Sequence, residues 1–127
     1  MPYLLDSHTV IWFYEGSPQI SDKVKDLVCD PANSILVSSA SLWEIAIKIS
    51  IGKLRLSISL ETLVEKLESD LIGVVAPAPK HILSVISLPF HHRDPFDRML
   101  VAQALAEGYV VLFKDTQLDI SGVQRLW

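Results

Sequence analysis

Residues 34–54 read SILVSSASLWEIAIKISIGKL, and this stretch decides the class of fold. Its first six residues, SILVSS, are a short apolar run of the kind found in strands that are buried on both faces. The remainder ends near Gly52 and carries apolar residues almost all round a helical repeat, so it predicts a mostly buried helix. A buried strand that passes directly into a helix is the unit from which parallel sheets are built.

The same alternation of apolar strand and helix recurs along the chain. The other predicted strands are PYLL (2–5), IGVVA (72–76), YVVLF (109–113) and VQRLW (123–127), with helices between them. One of these helices should follow Ser7, which is predicted as its N-cap. We therefore predict an α/β fold over residues 1–127: one three-layer α/β/α domain around a central, mostly parallel sheet of four or five strands.

Composition excludes several classes of protein. The chain has 127 residues, half of them hydrophobic, and a net charge of −4, which is typical of a globular domain and not of a disordered one. A protein that coats a nucleic-acid duplex is normally basic, so extensive phosphate contact is not expected. Cys29 is the single cysteine, which rules out an internal disulfide. No basic stretch precedes the first apolar residues, so we predict no secretory signal and a cytoplasmic location.

Acidic residues stand where a parallel α/β sheet binds ligands. Asp6 and Asp115 follow predicted strands, and ligands of such sheets lie beyond the carboxyl ends of the strands. Glu44 lies on the mostly apolar helix of residues 40–54 and needs a partner there, because an unpaired buried charge is costly. An ion pair with Lys48, four residues on, is the simpler explanation of Glu44 alone.

A fourth acid lies in the segment HHRDPFDRML (91–100). Asp94 suits an N-cap and Pro95 the first position of the next helix, so Asp97 falls in its first turn. Helix capping is a sufficient explanation for this segment taken alone. If the four acids converge, however, their charges repel, and a divalent cation would resolve the repulsion. Oxygen ligands favour Mg²⁺ or Mn²⁺, which can activate water against a phosphodiester.

Basic side chains near these acids are candidates for contact with a phosphate group. Arg93 and Arg98 flank the fourth acid and would either clamp such a phosphate, which in the family named below belongs to RNA, or be solvated charges. Similar but weaker candidates are Lys48, Lys53, Arg55 and Lys114. The pair His91–His92 raises the question of zinc, but the spacing of the histidines fits no common zinc pattern.

Four segments together resemble a known family. LLDSH (4–8), SSASLWEIAIKISIGKL (38–54), HHRDPFDRMLVAQA (91–104) and a strand followed by Asp115 are similar to the motifs of PIN-domain ribonucleases, and more narrowly of VapC toxins from type II toxin–antitoxin modules. The similarity extends over essentially the whole chain. It implies a PIN-like α/β/α domain that forms a homodimer, cuts RNA with Mg²⁺ or Mn²⁺, and is neutralised by a cognate VapB-like antitoxin.

The resemblance also assigns roles to residues. Asp6, Glu44, Asp97 and Asp115 match the catalytic, metal-binding acids. Two further residues have supporting roles: Ser7 has a hydroxyl that orients a carboxylate or water, and Asp94 is the cap that holds Asp97. The chain departs from the family at Phe113, where relatives commonly have Thr, which makes Asp119 a fallback for the fourth acid.

Two other interpretations remain open from the sequence. A catalytically degenerate PIN-like binding module would keep the acidic pocket without turnover, and Phe113 favours it. A phosphotransfer domain would use Asp6 as phosphate acceptor. Such acceptors usually have a second Asp two residues on, where this chain has His8.

Overall fold

Parallel strands form the centre of the molecule. The computed structural model describes residues 2–89 and 94–127. Within these ranges one sheet contains five strands, all paired in parallel. The strands are β1 (Pro2–Leu5), β2 (Ser34–Ser38), β3 (Gly73–Val75), β4 (Val110–Leu112) and β5 (Arg125–Leu126), and their order across the sheet is β3-β2-β1-β4-β5.

The strand order creates a cleft next to β1. The chain runs from β1 to β2 and β3 on one side and then crosses to β4 and β5 on the other. Leu5 lies opposite Val37 of β2 and Leu112 of β4, so three strands end at the same edge. The change of direction falls between β1 and β4, and a crevice forms at such a point in parallel α/β sheets.

Helices cover both faces of the sheet. They are α1 (Ser7–Glu15), α2 (Asp22–Cys29), α3 (Ser39–Ser50), α4 (Leu60–Ser69), α5 (Pro79–Val85) and α6 (Pro95–Glu107), followed by a 3₁₀ helix (Thr116–Ser121). Alternate strand residues point to opposite faces: Leu5 packs with Val10, Val24 and neighbours from α1, α2 and α4, whereas Leu4 packs with Leu100 and others from α6. The predicted three-layer α/β/α fold is confirmed.

Most helix ends follow the sequence signals. Ser21, Ser59 and Asp94 accept hydrogen bonds from the first turns of α2, α4 and α6. The predicted N-cap of α1 was wrong by one residue. Asp6, not Ser7, is the cap, and its side chain accepts a hydrogen bond from the Thr9 backbone.

Across the part of the chain that the structure describes, each helix is too short or too polar to cross a bilayer.

Arg98 links α6 to the end of α5 and to the residues that follow it. Its side chain is only 7% exposed. The guanidinium donates hydrogen bonds to the carbonyl oxygens of Val85 (2.9 Å), Leu88 (3.2 Å) and Pro89 (3.0 Å). Carbonyls at the end of a helix lack partners within the helix, and a cation there is favoured. Arg98 is therefore not a solvated charge, and its contact with an RNA phosphate stays a prediction.

Replacing this guanidinium should lower the stability of the fold. Arg98→Met keeps an apolar stem but removes the donors to three carbonyls, so the free energy of unfolding should fall by about 2 kcal/mol or more. Urea unfolding followed by circular dichroism measures this difference. The exposed Arg55 provides a matched control, since Arg55→Met should change stability by less than about 0.5 kcal/mol. Equal effects of the two substitutions would contradict the bridging role of Arg98.

Candidate active site

An open groove lies at the carboxyl ends of β1 and β4. Its volume is about 550 Å³. The residues that line it are Asp6, His8, Trp12, Asp97, Phe113, Lys114, Asp115 and Thr116. Three of the four predicted acids thus share one groove, at the crevice expected from the strand order.

Asp6 is held at the junction of β1 and α1. It is 3% exposed, and its Oδ1 accepts hydrogen bonds from the Thr9 backbone N–H (2.9 Å) and from the Thr9 hydroxyl. Its Oδ2 lies 3.4 Å from Nδ1 of His8, whose side chain is 54% exposed. The hydrogen bond to Asp6 raises the pKa of His8. Asp6 therefore presents a fixed carboxylate beside an exposed imidazole.

Glu44 reaches the same region from α3 and has two partners. It is 4% exposed. Ser7 donates a hydrogen bond to its Oε1 at 2.7 Å, and Lys48 Nζ lies 3.0 Å from its Oε2. The ion pair with Lys48 that the sequence allowed is present, but it is only part of the environment. Ser7 directly follows Asp6, so its hydrogen bond links Glu44 to the start of α1.

Asp97 is the acid most affected by the others. Asp94, the N-cap of α6, accepts hydrogen bonds from the backbone N–H groups of Phe96 (2.8 Å) and Asp97 (3.2 Å) and so fixes the start of the helix. Burial raises the pKa of Asp97 to about 7, and the negative charges of Asp94, Asp6 and Glu44 add to that effect. These acids are therefore close enough for their charges to interact.

Asp115 lies on the exposed rim of the groove. It is the N-cap of the 3₁₀ helix, and its Oδ1 accepts a hydrogen bond from the Gln117 N–H at 2.9 Å. Asp119, the fallback, faces Arg125 instead, with Oδ1 at 2.7 Å from Nε, and this hydrogen bond lowers its pKa. Phe113 is buried in the cluster around Leu4 and places no hydroxyl near either acid.

Three residues were missing from the predicted site or had only a minor place in it: Thr9, which is buried behind Asp6, and the groove residues Trp12 and Lys114. Thr9 contacts Asp6 from the next turn of α1, and its spacing of three residues from a capping Asp is a signal that sequence can provide. Trp12 lines the groove wall, and Lys114 Nζ lies 5.6 Å from the centre of its ring. The predicted residues His91, His92 and Arg93 lie outside the described residues.

The carboxylate oxygens of the groove suit a hard divalent cation. Among residues 2–89 and 94–127, no three His, Cys, Asp or Glu side chains come close enough to hold one ion. Asp6 and Asp97 nevertheless line the same groove. Mg²⁺ usually keeps several waters and binds through one or two carboxylates, so two acids in an open groove suit its chemistry.

Known proteins resemble this chain along nearly its whole length. The profile of the PIN domain family matches residues 3–122. Ribonuclease VapC22 of Mycobacterium tuberculosis is 26% identical over 116 residues, which cover 91% of this chain and 88% of that protein. The structure of VapBC2 from Rickettsia felis bound to a promoter DNA fragment has a chain with a TM-score of 0.72 at 17% identity, covering 99% and 98% of the two chains. For DNA-bound VapBC from Salmonella typhimurium the TM-score is 0.70 at 17% identity, with 99% and 97% covered.

The raised pKa of Asp97 predicts how stability depends on pH in metal-free protein. The carboxyl titrates near 3.8 when unfolded and at about 7 when folded, so the folded state holds the proton more tightly and loses stability as pH rises through this window. Asp97→Asn carries no charge at any pH. Its stability advantage over the wild type should therefore grow from about pH 5 to about pH 8.

Urea unfolding in EDTA across this pH range measures the difference. Glu65→Gln, a change on the exposed face of α4, is the control and should show no such trend. A constant difference between Asp97→Asn and wild type at all pH values would contradict the raised pKa.

Proposed function

Because the chain belongs to the PIN domain family, we propose that it is a divalent-metal-dependent endoribonuclease and the toxin of a type II toxin–antitoxin pair. Residues 1–127 would form one such domain. Its place of action would be the cytoplasm, where RNA and a co-expressed antitoxin meet. Ribonuclease VapC22, which is similar over most of its length, supports the activity.

The convergence of buried acids carries this proposal. Asp6 and Asp97 line one groove, and the charges of Asp6 and Glu44 help to raise the pKa of Asp97 to about 7. Groups that repel each other in this way are stabilised when a cation binds between them. An arrangement that served the fold alone would gain nothing from keeping these carboxylates together.

The proposed roles follow from where each acid lies. Asp6 and Asp97 would hold Mg²⁺ or Mn²⁺ directly, Glu44 would add negative charge behind them, and Asp115 would complete the rim. The cation, when bound, supplies activation of water and stabilisation of charge on the phosphodiester. Ser7 would keep Glu44 oriented through its 2.7 Å hydrogen bond. Hydrolysis would leave a 5′-phosphate and a 3′-hydroxyl.

Basic groups at the rim would position the RNA backbone. Lys114 is exposed and lines the groove beside Asp115. Lys48 is partly exposed and already forms an ion pair with Glu44. An RNA phosphate that binds Lys48 would therefore share its ammonium group with the Glu44 carboxylate. Since few of the described residues at the groove are cationic and the net charge is −4, we expect contact with a short stretch of RNA and not with a long duplex.

Two protein partners belong to the proposal. The solved structures that resemble this chain include VapBC complexes from Rickettsia felis and Salmonella typhimurium. We expect a VapB-like antitoxin to neutralise this chain by covering the groove. Homodimerisation, which the resemblance implies, stays a prediction, and the molar mass of the purified chain in solution tests it.

A degenerate binding module is the second candidate. Phe113 in place of a hydroxyl residue and the lack of a preassembled three-ligand cluster among the described side chains favour it. Such a module would keep its antitoxin and its fold but would not depend on Asp6 or Asp97 for any chemistry.

Cleavage of cellular RNA separates the two candidates. Purified, antitoxin-free protein should produce discrete fragments with Mg²⁺ or Mn²⁺ and none with EDTA. Asp6→Asn or Asp97→Asn should slow cleavage by about a hundredfold or more, because each removes a charge that holds the cation. Asp115→Asn keeps the cap and should cost only about tenfold.

Glu65→Gln on α4 is the matched control and should cleave like wild type. Folded protein that gives no fragments with either metal would reject the nuclease and leave the binding module. Cleavage that persists unchanged in EDTA, or in Asp97→Asn, would reject the proposed metal site.

A further inference from the structure

The Thr9 side chain touches two different elements at the end of the sheet. Its hydroxyl contacts Oδ1 of Asp6 and lies 2.8 Å from the carbonyl oxygen of Leu112, which is 103 residues away in the sequence. Thr9 is completely buried. Leu112 is the last residue of β4 and pairs with Leu5, the residue before Asp6. One hydroxyl thus lies between the acid and the neighbouring strand end.

These contacts go beyond ordinary helix capping. A capping Asp needs only the backbone N–H three residues on, and Thr9 N–H already provides it at 2.9 Å. The hydroxyl adds a second donor to the same Oδ1 atom. The other oxygen, Oδ2, lies 3.4 Å from the exposed His8 at the groove. Of the two Asp6 carboxylate oxygens, Oδ1 is therefore hydrogen-bonded within the protein, and Oδ2 is directed to the groove.

The hydroxyl has a single hydrogen and two acceptors. When Asp6 is ionised, the charge-assisted bond to the carboxylate is the stronger of the two. Because the Leu112 carbonyl accepts from the same hydroxyl, the orientation of the Asp6 carboxylate depends on the position of the end of β4. Residue 113, which follows Leu112, is a phenylalanine packed into the core, so it supplies no hydroxyl at this strand end.

We propose that Thr9 is a positioning residue whose hydroxyl holds Asp6 in the orientation required to bind the divalent cation. The inference rests on the proposed metal-dependent function and adds a residue to it. Partners that orient a metal ligand typically change metal affinity by about 10- to 100-fold when they are removed. Thr9 would act in this way and would not touch the cation or the RNA.

Calorimetric titration of the metal-free full chain with Mn²⁺ alone tests the proposal by measuring the affinity for the ion. Thr9→Val has nearly the same shape without the hydroxyl and should bind Mn²⁺ about tenfold more weakly or worse. Thr9→Ser and Thr9→Ala both lack the methyl group, but only Ser keeps the hydroxyl. Ser should stay within about threefold of wild type, whereas Ala should weaken binding like Val.

Two controls separate this effect from general destabilisation. Thermal unfolding without metal reports the cost to the fold of each variant. Thr62 on α4 also contacts a hydroxyl, that of Ser59 at 2.9 Å, and Thr62→Val should leave Mn²⁺ affinity unchanged. Asp6→Asn should abolish Mn²⁺ binding altogether.

The outcomes distinguish the two proposals. If wild type and Asp6→Asn bind Mn²⁺ equally, or neither binds, the metal site itself is wrong and the role of Thr9 falls with it. If Asp6→Asn loses binding but Thr9→Val binds like wild type, only the role of Thr9 is overturned. Should Thr9→Val fail to fold, equal affinities of Thr9→Ser and Thr9→Ala would overturn it as well.

Discussion

The parallel pairing of β1 with both β2 and β4 is the constraint on which the site depends. It places Leu5, Val37 and Leu112 side by side, so the segments that follow these strands emerge at one edge of the sheet. Both α1 and α3 begin there, within two residues of the strands that precede them. A slip of one residue in β1 would exchange Leu4 and Leu5 between the two cores. The hydrophobic packing therefore fixes the position of Asp6 as well.

Helix N-termini partly offset the cost of bringing acids together. Asp6 caps α1, and Asp94 caps α6 with Asp97 in its first turn. The positive end of each helix dipole favours negative charge at these positions. The offset is incomplete for Asp97, because burial and the neighbouring acids still raise its pKa to about 7. Metal-free protein therefore holds a carboxyl that is easily protonated at the place where we propose that a cation binds.

The sequence was sufficient for the layers, and three of the four acids that it singled out line one groove. It did not reveal the partners of these acids. Continuous apolar runs such as residues 34–39 predicted buried parallel strands, and Glu44 in an apolar helix predicted a partner for its charge. The cap of α1 was less certain because Asp and Ser cap helices equally well. Asp6 and not Ser7 is the cap because the Ser7 hydroxyl donates a hydrogen bond to Glu44, which is 37 residues away.

Long-range contacts explain the remaining differences. Arg98 looks like a surface charge beside Asp97, yet it is buried and donates to the carbonyls of Val85, the last residue of α5, and of Leu88 beyond it. Thr9 carries no signal of its contact with Leu112, because local patterns do not reveal which strand end lies opposite. The order of the strands, which determines both contacts, follows from the packing of the whole chain.

The most direct test is to locate Mn²⁺ in crystals of the protein by anomalous scattering. We predict a peak between the carboxylates of Asp6 and Asp97, within coordination distance of an oxygen of each. The same peak should be absent from crystals of Asp97→Asn. A map without a peak in this groove at saturating Mn²⁺, or with the ion held by other residues, would contradict the claim that these acids converge to bind a metal.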